Sequence, residues 1–260
     1  MAVFRNPGTL DPIVREVLAK AIPFYLNANT DSMDSHQEIK ALILVGWSFE
    51  VSGPSSCLFS EAFSGTCFFL LKEKQPKFLC HLHKLLDLVP GPCTVEVRGS
   101  PRQNAQAKDS QWVRDRLIFE TTKGVDVNEV LLSDEDRVFE GLSSNFFCVK
   151  NGTLFTAPRE AVLRGTIQGV VEQICERERI PVVGEFPLLS QASVWEGAFL
   201  TSTSRLVLPI GCLRIPEMGY FTLPFPAPSV NLTSPCFSFF FFFFLLFSSS
   251  RVAALSGPQS

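Results

Sequence analysis

Residues 145–156 constrain the fold more than any other stretch of this 260-residue chain. Asn145-Phe-Phe-Cys-Val149 has the composition of a strand, Asn151-Gly152 is a tight hairpin turn, and Thr153-Leu-Phe-Thr156 leads back. A turn that short makes the two strands antiparallel neighbours. Around this hairpin the hydrophobic period switches repeatedly. Glu129-Val-Leu-Leu-Ser133 reads as a short strand ahead of an acidic turn. Gly165 to Arg179 carries apolar residues at 167, 170, 171 and 174, the spacing of one helical face. Val182 to Phe186, Ala198-Phe-Leu-Thr201 and Leu206-Val-Leu208 read as further strands, and Ala107 to Thr121 as a helix. Strands and helices mixed without strict βαβ alternation indicate an α+β fold.

The first hundred residues are less regular. Asp11 to Ile22 places apolar residues at 13, 14, 17, 18, 21 and 22, with Asp11 as the expected cap and Pro12 in the first helical position. Residues 40–60 and 66–72 are apolar runs suited to strands, 77–89 fit either a strand or a helix, and Thr94 to Arg98 alternates like a strand. From Gly211 onward neither period is visible. The expected organisation is therefore a partial or divergent N-terminal α/β domain over 1–100, an incomplete C-terminal domain over 101–210, and a low-complexity tail over 211–260.

Composition matters most in that tail. The chain has 25 Phe, eight of them between Phe237 and Phe247 and six in the run Phe239 to Phe244. A spanning helix needs about 20 apolar residues. This run is shorter, contains Ser238, and follows Pro224, Pro226, Pro228 and Pro235. It is read as sequence foreign to the fold, such as translated intron, with a membrane anchor as the competing reading. Over the whole chain, 46% hydrophobic residues and a net charge of -3 supply a core and leave no basic footprint for a nucleic acid. The eight Cys form no Cys-x-x-Cys pair, and Cys80 with His81 and His83 is a poor start for a metal site. Residues 1–23 lack the apolar core of a secretory signal, so the cytoplasm is the default compartment, with an organelle left open.

Three features bear chemistry. Glu140-Gly-Leu-Ser-Ser-Asn145 puts a carboxylate in a Gly/Ser-rich loop just before a strand. Leu163-Arg-Gly165-Thr-Ile opens a helix, whose first N–H groups and positive dipole end suit phosphate. Thr201-Ser-Thr-Ser204 sets hydroxyls and amides between apolar runs. Each feature alone is more often a turn, an ordinary helix start or a polar strand end.

Taken in order, from Lys108 to Ile210, these pieces resemble class IV aminotransferases, the fold-type IV pyridoxal-phosphate enzymes. The residues that carry the resemblance are Glu140 to Thr156, Leu163-Arg-Gly165, Phe199 to Ser204 and Pro209-Ile210. The resemblance implies a two-domain architecture, pyridoxal 5'-phosphate as cofactor, amino-acid and 2-oxo-acid substrates of branched-chain or D-amino-acid type, and a homodimer. It implies Lys108 as the lysine that holds the cofactor and moves a proton, and Glu140 as the partner of the pyridine nitrogen. Asn145 would order the Glu140 loop and Leu163 would pack on the ring. Thr166, Ile167, Ser202 and Thr203 would hold the phosphate, and Ser204 would lie near the substrate carboxylate. The chain departs from the family pattern in reading Gly165-Thr-Ile-Gln168 and in having Val113 where many members carry Tyr. An aminodeoxychorismate-lyase-like enzyme and an inactive relic are the alternatives.

Overall fold

The computed structural model describes residues 7–29, 38–46, 59–62, 66–71, 77–85, 91–215 and 219–223. The Phe run at 237–247 lies outside the described residues. The chain divides into two compact units, Met1–Asp87 and Leu88–Ser260.

The first unit contains helix α1 (Pro7–Ala28) and strands β1 (Ile39–Gly46), β2 (Phe59–Ala62), β3 (Thr66–Leu71) and β4 (Lys77–Lys84). The strands form an antiparallel sheet in the order β1-β4-β3-β2. Segment 77–89, ambiguous in sequence, is thus a strand as far as Lys84. Its alternate residues Phe78, Cys80 and Leu82 bury against Val17, Ala21 and Tyr25, which are four apart on α1. This stripe runs past Ile22 and carries the helix to Ala28. Asp11 is therefore not a cap: it lies inside the helix and receives the Arg15 guanidinium at 2.7 Å. Pro12 and Pro23 are likewise internal.

The second unit begins with β5 (Cys93–Val97) and continues through α2 (Gln111–Asp115), α3 (Leu117–Thr122), β6 (Glu129–Asp134), β7 (Arg137–Gly141), β8 (Asn145–Lys150) and β9 (Thr153–Thr156). Then follow α4 (Thr166–Arg177), β10 (Val182–Gly184), a 3-10 segment (Leu189–Val194), β11 (Gly197–Ser202), β12 (Leu206–Ile215) and β13 (Gly219–Thr222). The sheet order is β10-β9-β8-β11-β12-β5-β6-β7, with β13 on β12. A further pairing of β7 with β8 closes the six strands β8-β11-β12-β5-β6-β7 into a ring. Helices and strands coexist without strict βαβ alternation, so the fold is α+β as the sequence indicated.

Strand β8 is buried on both faces, and its two periods serve two cores. Phe146 and Cys148 join Val95, Leu131, Leu200 and Ile210 in one cluster. Phe147 and Val149 face the other way and pack, with Phe199, on Val171 and Cys175 of α4. Phe147 and Phe199 stack at 4.9 Å between ring centroids. The hairpin after β8 turns at Asn151 and Gly152, both at positive φ (50° and 68°), as an Asn-Gly turn requires.

Three expectations need correction. The helix expected over Ala107 to Thr121 is two short helices, α2 and α3, and the stretch carrying Lys108 is irregular. Neither helix has a buried residue to stabilise a longer run, and Asp109 Oδ1 accepts the Gln111 N–H at 2.8 Å, starting α2 there. Strand structure continues past Gly211: β12 runs to Ile215, and β13 (Gly219–Thr222) pairs with it. A register shift between Ile210 and Cys212 breaks the alternation and hid this strand from a periodicity reading. The unit boundary falls after Asp87, not near residue 100, because β5 hydrogen-bonds to β6 and β12.

Candidate functional site

Glu140 and Asn145 are cross-strand partners on β7 and β8. The turn between them closes through the Gly141 N–H, which donates to Ser144 O at 2.7 Å. Both side chains are buried, and both reach Leu163. Glu140 Oε2 accepts the Leu163 N–H at 3.1 Å, while Asn145 Nδ2 donates to the Leu163 carbonyl at 2.6 Å. Leu163 is thereby fixed at both backbone groups, just ahead of helix α4.

The other Glu140 oxygen has a partner the sequence did not reveal. Arg102 Nε donates to Oε1 at 2.8 Å, and the two side chains are only 6% and 5% exposed. Arg102 is itself held by the Ala105 carbonyl at 2.8 Å and lies 5.3 Å from the Trp112 ring centroid. Burial pushes the Glu140 carboxyl above the ordinary range. The charge and hydrogen bond of Arg102, the Leu163 N–H and the charge of Lys108 all pull it back. Lys108 is solvent-exposed, yet close enough for its charge to act on Glu140.

The start of α4 is built around Asn145. Gly165, in extended conformation, is the N-cap, and Thr166 and Ile167 are the first helical residues. A Cβ on Gly165 would lie 2.1 Å from Asn145 Oδ1, so only glycine lets the amide lie against the helix start. Gln168, buried, accepts the Gly165 N–H at 3.4 Å through Oε1.

On the other side of β8, Thr201 of β11 pairs with Asn145. Cross-strand partners share a sheet face, so the Thr201 hydroxyl is on the Asn145 face. It is buried and lacks a hydrogen-bond partner. The chain then turns through 203–205. Ser202 Oγ accepts the Arg205 N–H at 3.2 Å and lies 3.5 Å from Ser204 Oγ. Ser202 and Ser204 are half-buried, and Thr203 is exposed.

The second unit thus links Glu140, Asn145 and Leu163 by hydrogen bonds, with Lys108 acting on Glu140 by charge. It sets Thr166 and Ile167 beyond Gly165 and Ser202 to Ser204 beyond the Asn145–Thr201 rung. Sequence reading missed Arg102, Glu129 and Arg205, and included Thr201 only as the first residue of the Thr201-Ser-Thr-Ser204 motif. A signal existed for one: Glu129 is a carboxylate directly ahead of the apolar run Val130-Leu131-Leu132. A cavity of about 400 Å³ beside α4, lined by Arg159, Arg164, Glu172 and Glu176 among others, contains none of the predicted site residues. Among the described residues no group of His, Cys, Asp and Glu could hold a metal ion, and no helix is long and apolar enough to cross a membrane.

Residues 91–211 match the family model for amino-transferase class IV. A Methanocaldococcus jannaschii protein named for branched-chain-amino-acid aminotransfer is 32% identical over 121 residues, which are 45% of this chain and 42% of that protein. A D-alanine aminotransferase of Staphylococcus epidermidis is 34% identical over 76 residues, 29% of this chain and 27% of that protein. The chain therefore matches less than half the length of either relative. A branched-chain aminotransferase from Thermoproteus uzoniensis shares the fold with a TM-score of 0.53 at 15% identity, over 72% of this chain and 65% of that one. A fold IV transaminase from Curtobacterium pusillum does so with a TM-score of 0.50 at 19% identity, over 62% and 60%.

Proposed function

We propose that this chain, whose residues 91–211 carry the class IV aminotransferase pattern, is a pyridoxal-phosphate-dependent aminotransferase acting between an amino acid and a 2-oxo acid. The observation that carries the reading is the buried Glu140 carboxylate, which is locked to Leu163 opposite Asn145 and feels the charge of Lys108. Two features fit the cofactor. The buried Thr201 hydroxyl has an unused hydrogen bond on the Asn145 face, and the start of α4 is left open by Gly165, where a Cβ would meet Asn145 Oδ1.

Lys108 would hold the cofactor through its amine, Glu140 would face the ring nitrogen, and Leu163 would pack beside the ring. The amides of Thr166 and Ile167, with Ser202 and Thr203, would take the phosphate at the positive end of α4. When bound, pyridoxal phosphate supplies an electron sink for the carbanion formed at the substrate Cα. The residues of this chain do the rest. Glu140, whose carboxylate form Arg102 favours against the effect of burial, would pair with the protonated ring nitrogen. The Lys108 amine would take the proton from the substrate Cα and deliver it to C4′ of the cofactor, the shift that amino transfer requires. Ser204 would orient the substrate carboxylate. Branched-chain or D-amino acids are the proposed donors, and a homodimer the proposed assembly.

The test is covalent trapping. Full-length protein incubated with pyridoxal phosphate and reduced with borohydride should carry the cofactor on Lys108 by peptide mass spectrometry, and Lys108→Ala should not. Aminotransfer from branched-chain L- and D-amino acids to 2-oxoglutarate then defines the substrate. Folded protein that traps no cofactor would overturn the proposal. One feature favours a second reading, a cofactor-binding relic: Val113, 56% exposed, offers no phenol where many relatives carry one. Trapping on Lys108 without turnover of any donor would support that reading.

A further inference from the structure

One buried carboxylate takes no part in the chemistry above. Glu129, at the start of β6, is 3% exposed. Its Oε1 accepts the Val130 N–H at 3.1 Å. Its Oε2 accepts the hydroxyls of Ser143 at 2.9 Å and Ser144 at 3.1 Å, and ion-pairs with the Arg205 guanidinium. Ser143 and Ser144 belong to the turn that sets Glu140 opposite Asn145. Arg205 ends the turn that carries Ser202, Thr203 and Ser204, and its own N–H donates to Ser202 Oγ at 3.2 Å. Two turns far apart in the sequence therefore share one anchor. The 141–144 turn sits close against the anchor: a Cβ on Gly141 would lie 2.4 Å from Ser144 Oγ and 3.0 Å from Glu129 Cγ.

We propose that Glu129 and Arg205 form a positioning pair that couples the 202–205 turn to the Glu140–Asn145 turn and so sets the phosphate end of the site. The proposal rests on the cofactor reading above for the ligand, though not for the coupling. Among the described residues Arg205 is the one cation that bonds the Glu129 carboxylate. Without it the carboxylate is left with only hydroxyl and amide partners in a buried position, which is costly: the 202–205 turn must shift to hydrate it, while the 141–144 turn keeps its Ser143 and Ser144 bonds to Glu129 and only opens more often.

Two measurements on the full-length chain test the pair. The first compares binding of pyridoxal 5'-phosphate with binding of pyridoxal, which lacks the phosphate, by quenching of tryptophan fluorescence. Arg205→Met should weaken pyridoxal-phosphate binding by roughly tenfold while pyridoxal binding stays within about twofold. Arg205→Lys, which keeps the charge, should recover part of the loss, and Glu129→Gln in the Arg205→Met background should add little. Equal losses for both compounds, or no loss for either, would overturn the proposal. The second measurement is amide hydrogen exchange without cofactor. Faster exchange in Arg205→Met or Arg205→Lys at both 141–144 and 202–206 supports the coupling. Acceleration confined to 202–206 refutes it, even if the wild type binds neither compound and the cofactor reading itself has failed.

Discussion

Replacing Arg102 by Met should destabilise the protein in a way that depends on pH. The Arg102–Glu140 pair is almost fully buried, with side chains 6% and 5% exposed, so it belongs with interior rather than surface ion pairs. Removing one partner of such a pair costs about 3–5 kcal/mol, because a charge is left without compensation. Only part of this is charge. The lost hydrogen bond and the contact with the Trp112 ring account for about 2 kcal/mol whatever the state of Glu140. The sign follows from the direction of the Glu140 shift. Its folded-state pKa is already raised by burial, so its contribution to stability is fully present below the unfolded pKa and is lost as pH rises through the folded value. Without Arg102 the folded pKa climbs further, and the penalty deepens on the alkaline side only. The difference between wild type and Arg102→Met should therefore be about 3–5 kcal/mol at neutral pH and fall toward about 2 kcal/mol below pH about 4. Urea unfolding followed by tryptophan fluorescence at the two pH values measures it. In a Glu140→Gln background the pH dependence should vanish. An equal loss at both pH values, with or without Glu140, would refute the reasoning.

Other substitutions probe the same neighbourhood. Gly165→Ala should destabilise by at least about 1 kcal/mol, because the new Cβ would lie 2.1 Å from Asn145 Oδ1, and Asn145→Ala should relieve it. Additive losses in the double variant, read from unfolding midpoints, would contradict that clash. Thr201→Val removes a buried hydroxyl without a partner and should raise the cofactor-free unfolding temperature, since such a group costs about 1–3 kcal/mol, while weakening binding of pyridoxal phosphate. Unchanged binding would take Thr201 out of the site. Burial pushes the Cys93 and Cys148 thiols up to about 12, so native protein should resist alkylation of both at pH about 8 and react only when unfolded. Rapid labelling of either in folded protein would contradict their burial.

The parts of this molecule that were legible in the sequence are those where one local rule suffices. The Asn151-Gly152 turn dictates its own hairpin. The stripe in 165–179 dictates α4, and the ordered motifs point to Glu140, Asn145 and the 202–204 turn. Where two rules compete, the sequence misled. Lys108 lies in a stretch with helical composition but no buried face, so tertiary packing withheld the helix. Beyond Gly211, a register shift disguised a strand whose Leu213 and Ile215 are buried. The side-chain partnerships of Arg102 and Glu129 were invisible for another reason. Their partners lie between 14 and 76 residues away, and only the fold brings a guanidinium to Glu140 or two turns to one carboxylate.

The position of β5 between β6 and β12 also bears on how the chain is made. As the protein leaves the ribosome, β5 (Cys93–Val97) can pair with β6 almost at once, but its other edge must wait for β12, which begins at Leu206. At synthesis rates of about 5–20 residues per second, that edge stays open for roughly 5–20 s. Cys93, Val95 and Val97, all buried in the finished protein, alternate along the waiting strand. An open apolar edge of this kind invites pairing with other nascent chains. The ring that brings Thr201 to Asn145 is thus completed late, and chains interrupted before β12 should accumulate as aggregates rather than as folded fragments.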